Sequence, residues 1–200
     1  MHVLDSITQW FGRYRRSSNA GWLALWMLLF ATIVHAANPG IEIRSPYVVP
    51  VAGVYVLNAQ LLFTPKEDME RAVRDGATLS MELQIKISRT RTWWRDEVLA
   101  NLQQRYTLLY HGVSERYLVR NVNSGAQTSY ASFAEAITSL QHVDSLPVLD
   151  QAVVSPDIRN EVSLRASLEV RSIPRVLGLL LFWVDNFALE SDWYTWPMKS

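Results

Sequence analysis

Histidine is the side chain best suited to moving protons near neutral pH, and after the first 36 residues the sequence holds two, His111 and His142. His111 is followed by Ser114 and Glu115, the residue types of a nucleophile, a base and an orienting acid. They lie, however, in the stretch His111-Gly112-Val113-Ser114, which suits a turn between strands, and turns collect such polar residues anyway. As metal ligands, His111 with Glu115, or His142 with Asp144, supply a pair, short of the three or four that zinc requires. Asp96 and Glu97 are adjacent, so on a strand their carboxylates would point to opposite faces. A carboxylate pair drawn from distant positions stays open. The sequence contains no His-Glu-x-x-His, no glycine-rich phosphate loop and no Gly-x-Ser-x-Gly. The expectation is no catalytic residue, no metal and no cofactor.

What remains is chemistry of contact. Trp93 and Trp94, flanked by Arg91 and Arg95, fall between two strand-like segments. They are either core aromatics with arginines stacked on them or an exposed platform for glycan, peptide or protein. The segment Val176 to Val184 is uninterruptedly apolar but too short to span a bilayer. As a helix it would place Leu177, Leu180, Leu181 and Val184 on one face and leave Gly178 and Phe182 elsewhere. That is more apolar surface than one core contact consumes. The candidate binding surface is accordingly Trp93, Trp94, Leu177, Leu180, Leu181 and Trp183.

The setting of these residues follows from the start of the chain. Arg13, Arg15 and Arg16 precede an uncharged run from Gly21 to Val34, and Val34-His35-Ala36 has the small-residue spacing of a signal peptidase site. Basic region, short apolar core and cleavage site compose an export signal, with an uncleaved N-terminal anchor as the alternative. In both cases the arginines stay on the cytoplasmic side and residues 37–200 are translocated as a single domain. Cysteine is absent, which excludes lipidation at a new N-terminal Cys and disulfide support. The domain must be held by its own core, and its length suffices for one. The formal charge of the chain is zero, and three arginines against Asp5 in the leader leave the remainder near −2. Basic and acidic residues are interspersed throughout, so no nucleic-acid footprint is expected.

Residues 41–49 and 51–63 are rich in Val, Ile, Leu and Tyr and should be extended. Thr64, Pro65 and Glu67 compose a capping box for a helix that carries Met69, Ala72 and Val73 and stops at Gly76. Leu79, Met81, Leu83, Ile85 and Ile87 then alternate with polar residues, which predicts a strand with one buried and one wet face. Val98, Ala100, Leu102, Tyr106, Leu108 and Tyr110 form a second alternation, interrupted by Gln104. Residues 116–122 return as a third strand, completing an antiparallel meander. Residues 123–129 are expected as a polar loop, Ser132 and Glu135 as a second capping box, and Phe133, Ala136, Ile137 and Leu140 as a helix stripe. An irregular link through Pro147 and Pro156 leads to a strand carrying Val162, Leu164, Ala166, Leu168 and Val170, and residues 191–196 end the chain as a strand. The fold class is therefore α+β, mainly antiparallel β in a meander or sandwich-like sheet, with two or three short helices after an N-terminal export helix.

The capped helix ending in Gly76, the strand running into Arg89-Thr-Arg91-Thr-Trp93-Trp94-Arg95-Asp96, the aromatics Tyr106, Tyr110 and Tyr117, the Ser132-Phe133 helix and Ser191-Asp-Trp193 together carry a resemblance. The chain resembles the bacterial exported proteins grouped as domain of unknown function 4390, over most of residues 37–200. The resemblance implies a Gram-negative cell envelope and a periplasmic domain, with a link to envelope signalling through neighbouring sensor kinases. It supplies no catalytic residues. The leading expectation is a non-catalytic module that binds an envelope protein partner, with contact to the membrane through the N-terminal segment. A carrier or sensor of an apolar ligand such as lipid is the alternative, and a hydrolase with an unrecognised site is the third.

Overall fold

The computed structural model describes residues 40–91, 96–155, 158–171 and 188–198. Strands β1 (Glu42–Val51) and β2 (Val54–Leu62) form a hairpin closed by Ala52 and Gly53. Both turn residues have positive φ, 50° and 84°, the geometry whose twist matches that of paired strands. Helix α1 (Glu67–Arg74) follows. Its start differs from expectation: the N-cap is Lys66 and not Thr64, and no side-chain hydrogen bond caps it. Burial of Met69, Ala72 and Val73 stabilises the helix instead, each at most 3 % exposed. Its end is as expected. Gly76 takes φ 100°, its N–H bonds Val73 O at 3.1 Å, and Ala77 N–H bonds Ala72 O at 2.9 Å. Those two bonds close the last turn around a left-handed residue.

The alternating segments then build the larger sheet. Strands β3 (Thr78–Arg89), β4 (Glu97–His111), β5 (Arg116–Asn121) and β6 (Gln127–Tyr130) run as an antiparallel meander. The polar loop expected at 123–129 is thus shorter, because Gln127–Tyr130 pairs with Tyr117–Arg120. Helix α2 (Phe133–Gln141) starts at Ser132, whose hydroxyl accepts from Glu135 N at 3.2 Å. It buries Phe133, Ala136, Ile137 and Leu140, the stripe its spacing predicts. Strand β7 (His142–Asp150) comes next, where an irregular link was expected. It escapes detection because Pro147 interrupts it and its pairing with β2 shifts register twice. As an edge strand it can hold a proline that a central strand could not. After a 3-10 turn (Gln151–Val153), β8 (Asn160–Arg171) lies antiparallel beside β3 over its whole length. Strands β9 (Ala188–Glu190) and β10 (Tyr194–Pro197) share the far edge of β8.

Two sheets result, ordered β1-β2-β7 and β10-β8-β3-β4-β5-β6, and their facing sides contribute to one core with both helices. Leu79, Met81, Leu83, Ile85 and Ile87 are 0–1 % exposed, and each such side chain stabilises the fold by about 1.5–3 kcal/mol. The fold is α+β and mainly antiparallel, with α1 and α2 as its α-helices among the described residues. Two details depart from simple alternation. Val98 is 52 % exposed because an extra residue, Leu99, enters the β3–β4 pairing between Ile87 and Ser88 and turns Val98 outward. The outer face of β3 is also not uniformly wet, since Ser80, Glu82 and Ser88 are buried.

Candidate functional site

The two histidines each engage a local partner through Nδ1. His111 Nδ1 lies 2.8 Å from Ser114 Oγ and accepts from Ser114 N at 3.3 Å, which ties the exposed β4–β5 turn together. Among the described residues no carboxylate is bonded to the ring, so none of them completes a triad there. Asp96 accepts from Arg91 N, and Glu97 pairs with both Arg89 and Arg91 at the base of the β3–β4 hairpin. Among the described residues no three potential ligands gather for a metal ion. Also among them, no helix is long and apolar enough to cross a membrane. Trp93, Trp94, Leu177, Leu180, Leu181 and Trp183 lie outside the described residues, as do Arg13, Arg15, Arg16 and Ala36.

Two openings in the surface stand out. The first is an apolar groove of about 550 Å³ between β1 and β10, lined by Pro46, Tyr47, Val48, Val49, Pro50, Trp196 and Pro197. It exists because β1 is an edge strand with a bulge: Arg44 faces Gln60 and Tyr47 faces Asn58, leaving Ser45 and Pro46 opposite Ala59. Ser45 takes φ 45° to make that bend. Tyr47 and Val51 are more than half exposed, and Trp193 and Tyr194 nearly so. Pro46 and Pro50 carry no N–H, so this edge is poorly suited to adding another strand and presents side chains instead.

The second opening is a cleft of about 240 Å³ where the β4–β6 end of the larger sheet passes α2 and β7. Leu83, Val119, Leu140 and Val143 form its apolar floor, and Tyr106 and Tyr130 line it with Asn121, Thr128, Ser139, His142 and Asp144. Gln104, the residue that interrupts the β4 alternation, pairs in register with Leu83 and donates from Nε2 to Asn121 Oδ1 at 2.6 Å. Asn121 Oδ1 also accepts from Asn123 N and Ser124 N, which fixes the amide orientation. His142 Nδ1 lies 2.8 Å from Thr138 O, so that nitrogen carries the proton in the neutral ring and Nε2 is an acceptor. A bulge in β7, where Asp144 and Ser145 stand opposite Asn58, sits beside the cleft. Ser145 has φ 49° and donates its N–H to Asn58 Oδ1 at 3.0 Å. Burial pushes the Tyr106 hydroxyl up, against a smaller lowering by Gln104.

A third polar feature is structural. Glu82, on the outer face of β3, accepts from Gln84 Nε2 at 3.0 Å, from Arg105 at 2.7 Å and from Gln103. Hydrogen bonds from Gln84, Arg105 and Gln103 hold its carboxyl at about 2, well below 4.5, against the cost of burial. Arg105 stands directly across the strand pair, so the ion pair locks the β3–β4 register. A second cluster joins α1 to the sheet. Arg74 Nε donates to Tyr117 Oη at 2.8 Å, and Tyr117 donates to Glu70 at 2.8 Å.

The groove was missed because it is assembled from two edges, residues 46–50 and 196–197, that are far apart in the chain. The cleft had one legible sign, the polar Gln104 at an inward position, whose partner Asn121 comes from a different strand. No curated protein and no solved structure matches the chain. The family model described as a domain of unknown function (DUF4390) matches residues 38–197. The chain belongs to that family.

Proposed function

We propose that the protein is an exported cell-envelope module without catalytic activity, which docks a protein partner through the β1–β10 groove. One observation carries the docking role: aromatic, valine and proline side chains form a groove at an exposed edge while the core beside it is filled. Tyr and Trp in a partly desolvated recess are the residue types that dominate protein interfaces. The filled inner face of β3 weighs against a carrier with its ligand between the sheets. Among the described residues, the absence of a carboxylate bonded to either histidine ring and of a metal cluster weighs against a hydrolase. The arginines and apolar run of the first 36 residues support export and contact with the membrane, and N-terminal sequencing of the protein from the envelope distinguishes a cleaved leader from an anchor. A partner in envelope signalling fits a periplasmic domain with an inner-membrane origin.

The chain holds no cysteine, so one introduced thiol is unique. A Tyr47→Cys variant carrying a thiol-linked benzophenone, irradiated in intact cells, should give a discrete protein adduct. The Val113→Cys variant, at an exposed turn residue away from the groove, should not. Lipid adducts alone from Tyr47→Cys, or the same adducts from both variants, would overturn the docking role.

A further inference from the structure

We infer that the cleft between the β4–β6 end of the larger sheet and the α2–β7 junction binds a neutral sugar unit of a glycan. The first ground is where its polar residues come from. Cross-strand pairing puts Gln104 beside Leu83, Asn121 beside Tyr106 and Thr128 beside Val119, on the side of the sheet that elsewhere holds only core. Gln104 and Asn121 are part-buried there, and burying polar groups costs desolvation unless something satisfies them, whereas Thr128 lies at the exposed rim. The Gln104–Asn121 bond satisfies one donor and one acceptor. Among the described residues, the side chains of Thr128, Tyr130 and Asp144 make no hydrogen bond, and they remain for a ligand.

Charge and hydrogen-bonding type then narrow the ligand. Among the described residues no lysine or arginine lines the cleft, and Asp144 gives it a carboxylate, which disfavours phosphates and organic acids. Acceptors are present at Asp144 and at His142 Nε2, and donors at the Asn121 amide and the Tyr and Thr hydroxyls. A mixed donor and acceptor lining matches hydroxyl groups, each of which does both. A quaternary ammonium would need the aromatic rings and the carboxylate but leave the donors unpaired. Tyr106 and Tyr130 supply rings against which the apolar face of a pyranose can lie, and Leu83, Val119, Leu140 and Val143 form a floor that expels water. The volume, about 240 Å³, lies below the range of about 300–1,000 Å³ for drug-sized ligands and admits one ring.

Support for the site is rigid. His142 follows α2 without a linker and is bonded to its last turn at Thr138 O. The β7 bulge, pinned by Asn58, places Asp144 on the same rim. The site needs no contribution from the β1–β10 groove, so it stands whether or not a protein docks there.

The test uses the full chain in lipid nanodiscs, since glycoside detergents would compete. Saturation-transfer NMR is measured at millimolar concentrations of methyl β-D-glucopyranoside, methyl N-acetyl-β-D-glucosaminide and tetramethylammonium. At least one glycoside should receive saturation, strongest at its axial ring protons, and tetramethylammonium should receive none. Tyr130→Ala and Asp144→Ala should each weaken the glycoside roughly tenfold or more. Asp144 is exposed and its side chain bonds nothing among the described residues, so Asp144→Asn serves as a variant that preserves shape. No transfer to either glycoside, transfer unchanged in the variants, or transfer to tetramethylammonium alone would overturn the inference.

Discussion

The groove and the cleft are both gaps beside strand edges, yet their linings are opposites. The groove has Pro, Val, Tyr and Trp, and among the described residues no charged side chain lines it. The cleft sets Asn, Thr, Ser, His and Asp around an apolar floor. A bulge next to Asn58 or Ala59 of β2 shapes each of them, on β1 in one case and on β7 in the other. One central strand thus carries an irregular neighbour on either side. The difference teaches that similar backbone devices serve different recognition when side-chain polarity differs: apolar area favours a broad protein contact, and oriented polar groups favour a small ligand.

The comparison predicts different responses to substitution. Leu83 is core and cleft floor together, so Leu83→Ala should cost about 2–5 kcal/mol in urea unfolding and also enlarge the cleft. If stability falls by under about 1 kcal/mol, the floor is not part of the core and the contrast between a filled sandwich and an open end fails.

Acid should act on the sheet that both sites share. The Glu82 carboxyl is depressed in the folded state, so its stabilisation is complete above about 4.5 and is lost as pH falls towards 2. The loss should be on the order of 3 kcal/mol, and the Glu82→Gln variant should show a flatter stability profile between those pH values. An identical profile for both proteins would mean that Arg105, Gln84 and Gln103 do not hold the carboxylate.

Ser191 tests the strand edge that continues into the groove. Its N–H donates to Ala166 O and its hydroxyl accepts from Ala166 N, both at 2.9 Å, bridging the gap between β9 and β10. Ser191→Ala leaves the buried Ala166 N–H without a partner, an expected loss of about 1–3 kcal/mol. Hydrogen exchange at Ala166 should speed up correspondingly. Tyr47→Ser and Asp144→Ala should have the smallest effects on stability, within about 0.5 kcal/mol, since both residues are exposed. Each should abolish or weaken only its own contact, and loss of both contacts in either variant would show that the two sites are one.

Local order was legible where one segment decides its own structure. The Leu79–Ile87 alternation became β3, Ser132 and Glu135 marked the start of α2, and Gly76 ended α1. Thr64 and Pro65 misled because a capping box is optional when Met69, Ala72 and Val73 are buried well enough to hold the helix. Strand β7 was hidden because its evidence lies in β2: without that partner, Pro147 and the bend at Ser145 look like a loop. Val98 continued a pattern that the Leu99 bulge breaks, and a bulge depends on two strands at once.

By itself the sequence determined the periodicities, the helix ends and the missing cysteines, hence the α+β class and a domain held by its core. These depend on short-range sterics and on the spacing of apolar side chains. It also marked Gln104 as out of place. Only the tertiary structure decided what Gln104 meets, which edges are left unpaired, and that Tyr47 lies near Trp196 while Tyr106 lies near Asp144. Those neighbours are set by register and sheet order, which no single segment encodes, because each is the joint outcome of strands distant in the chain.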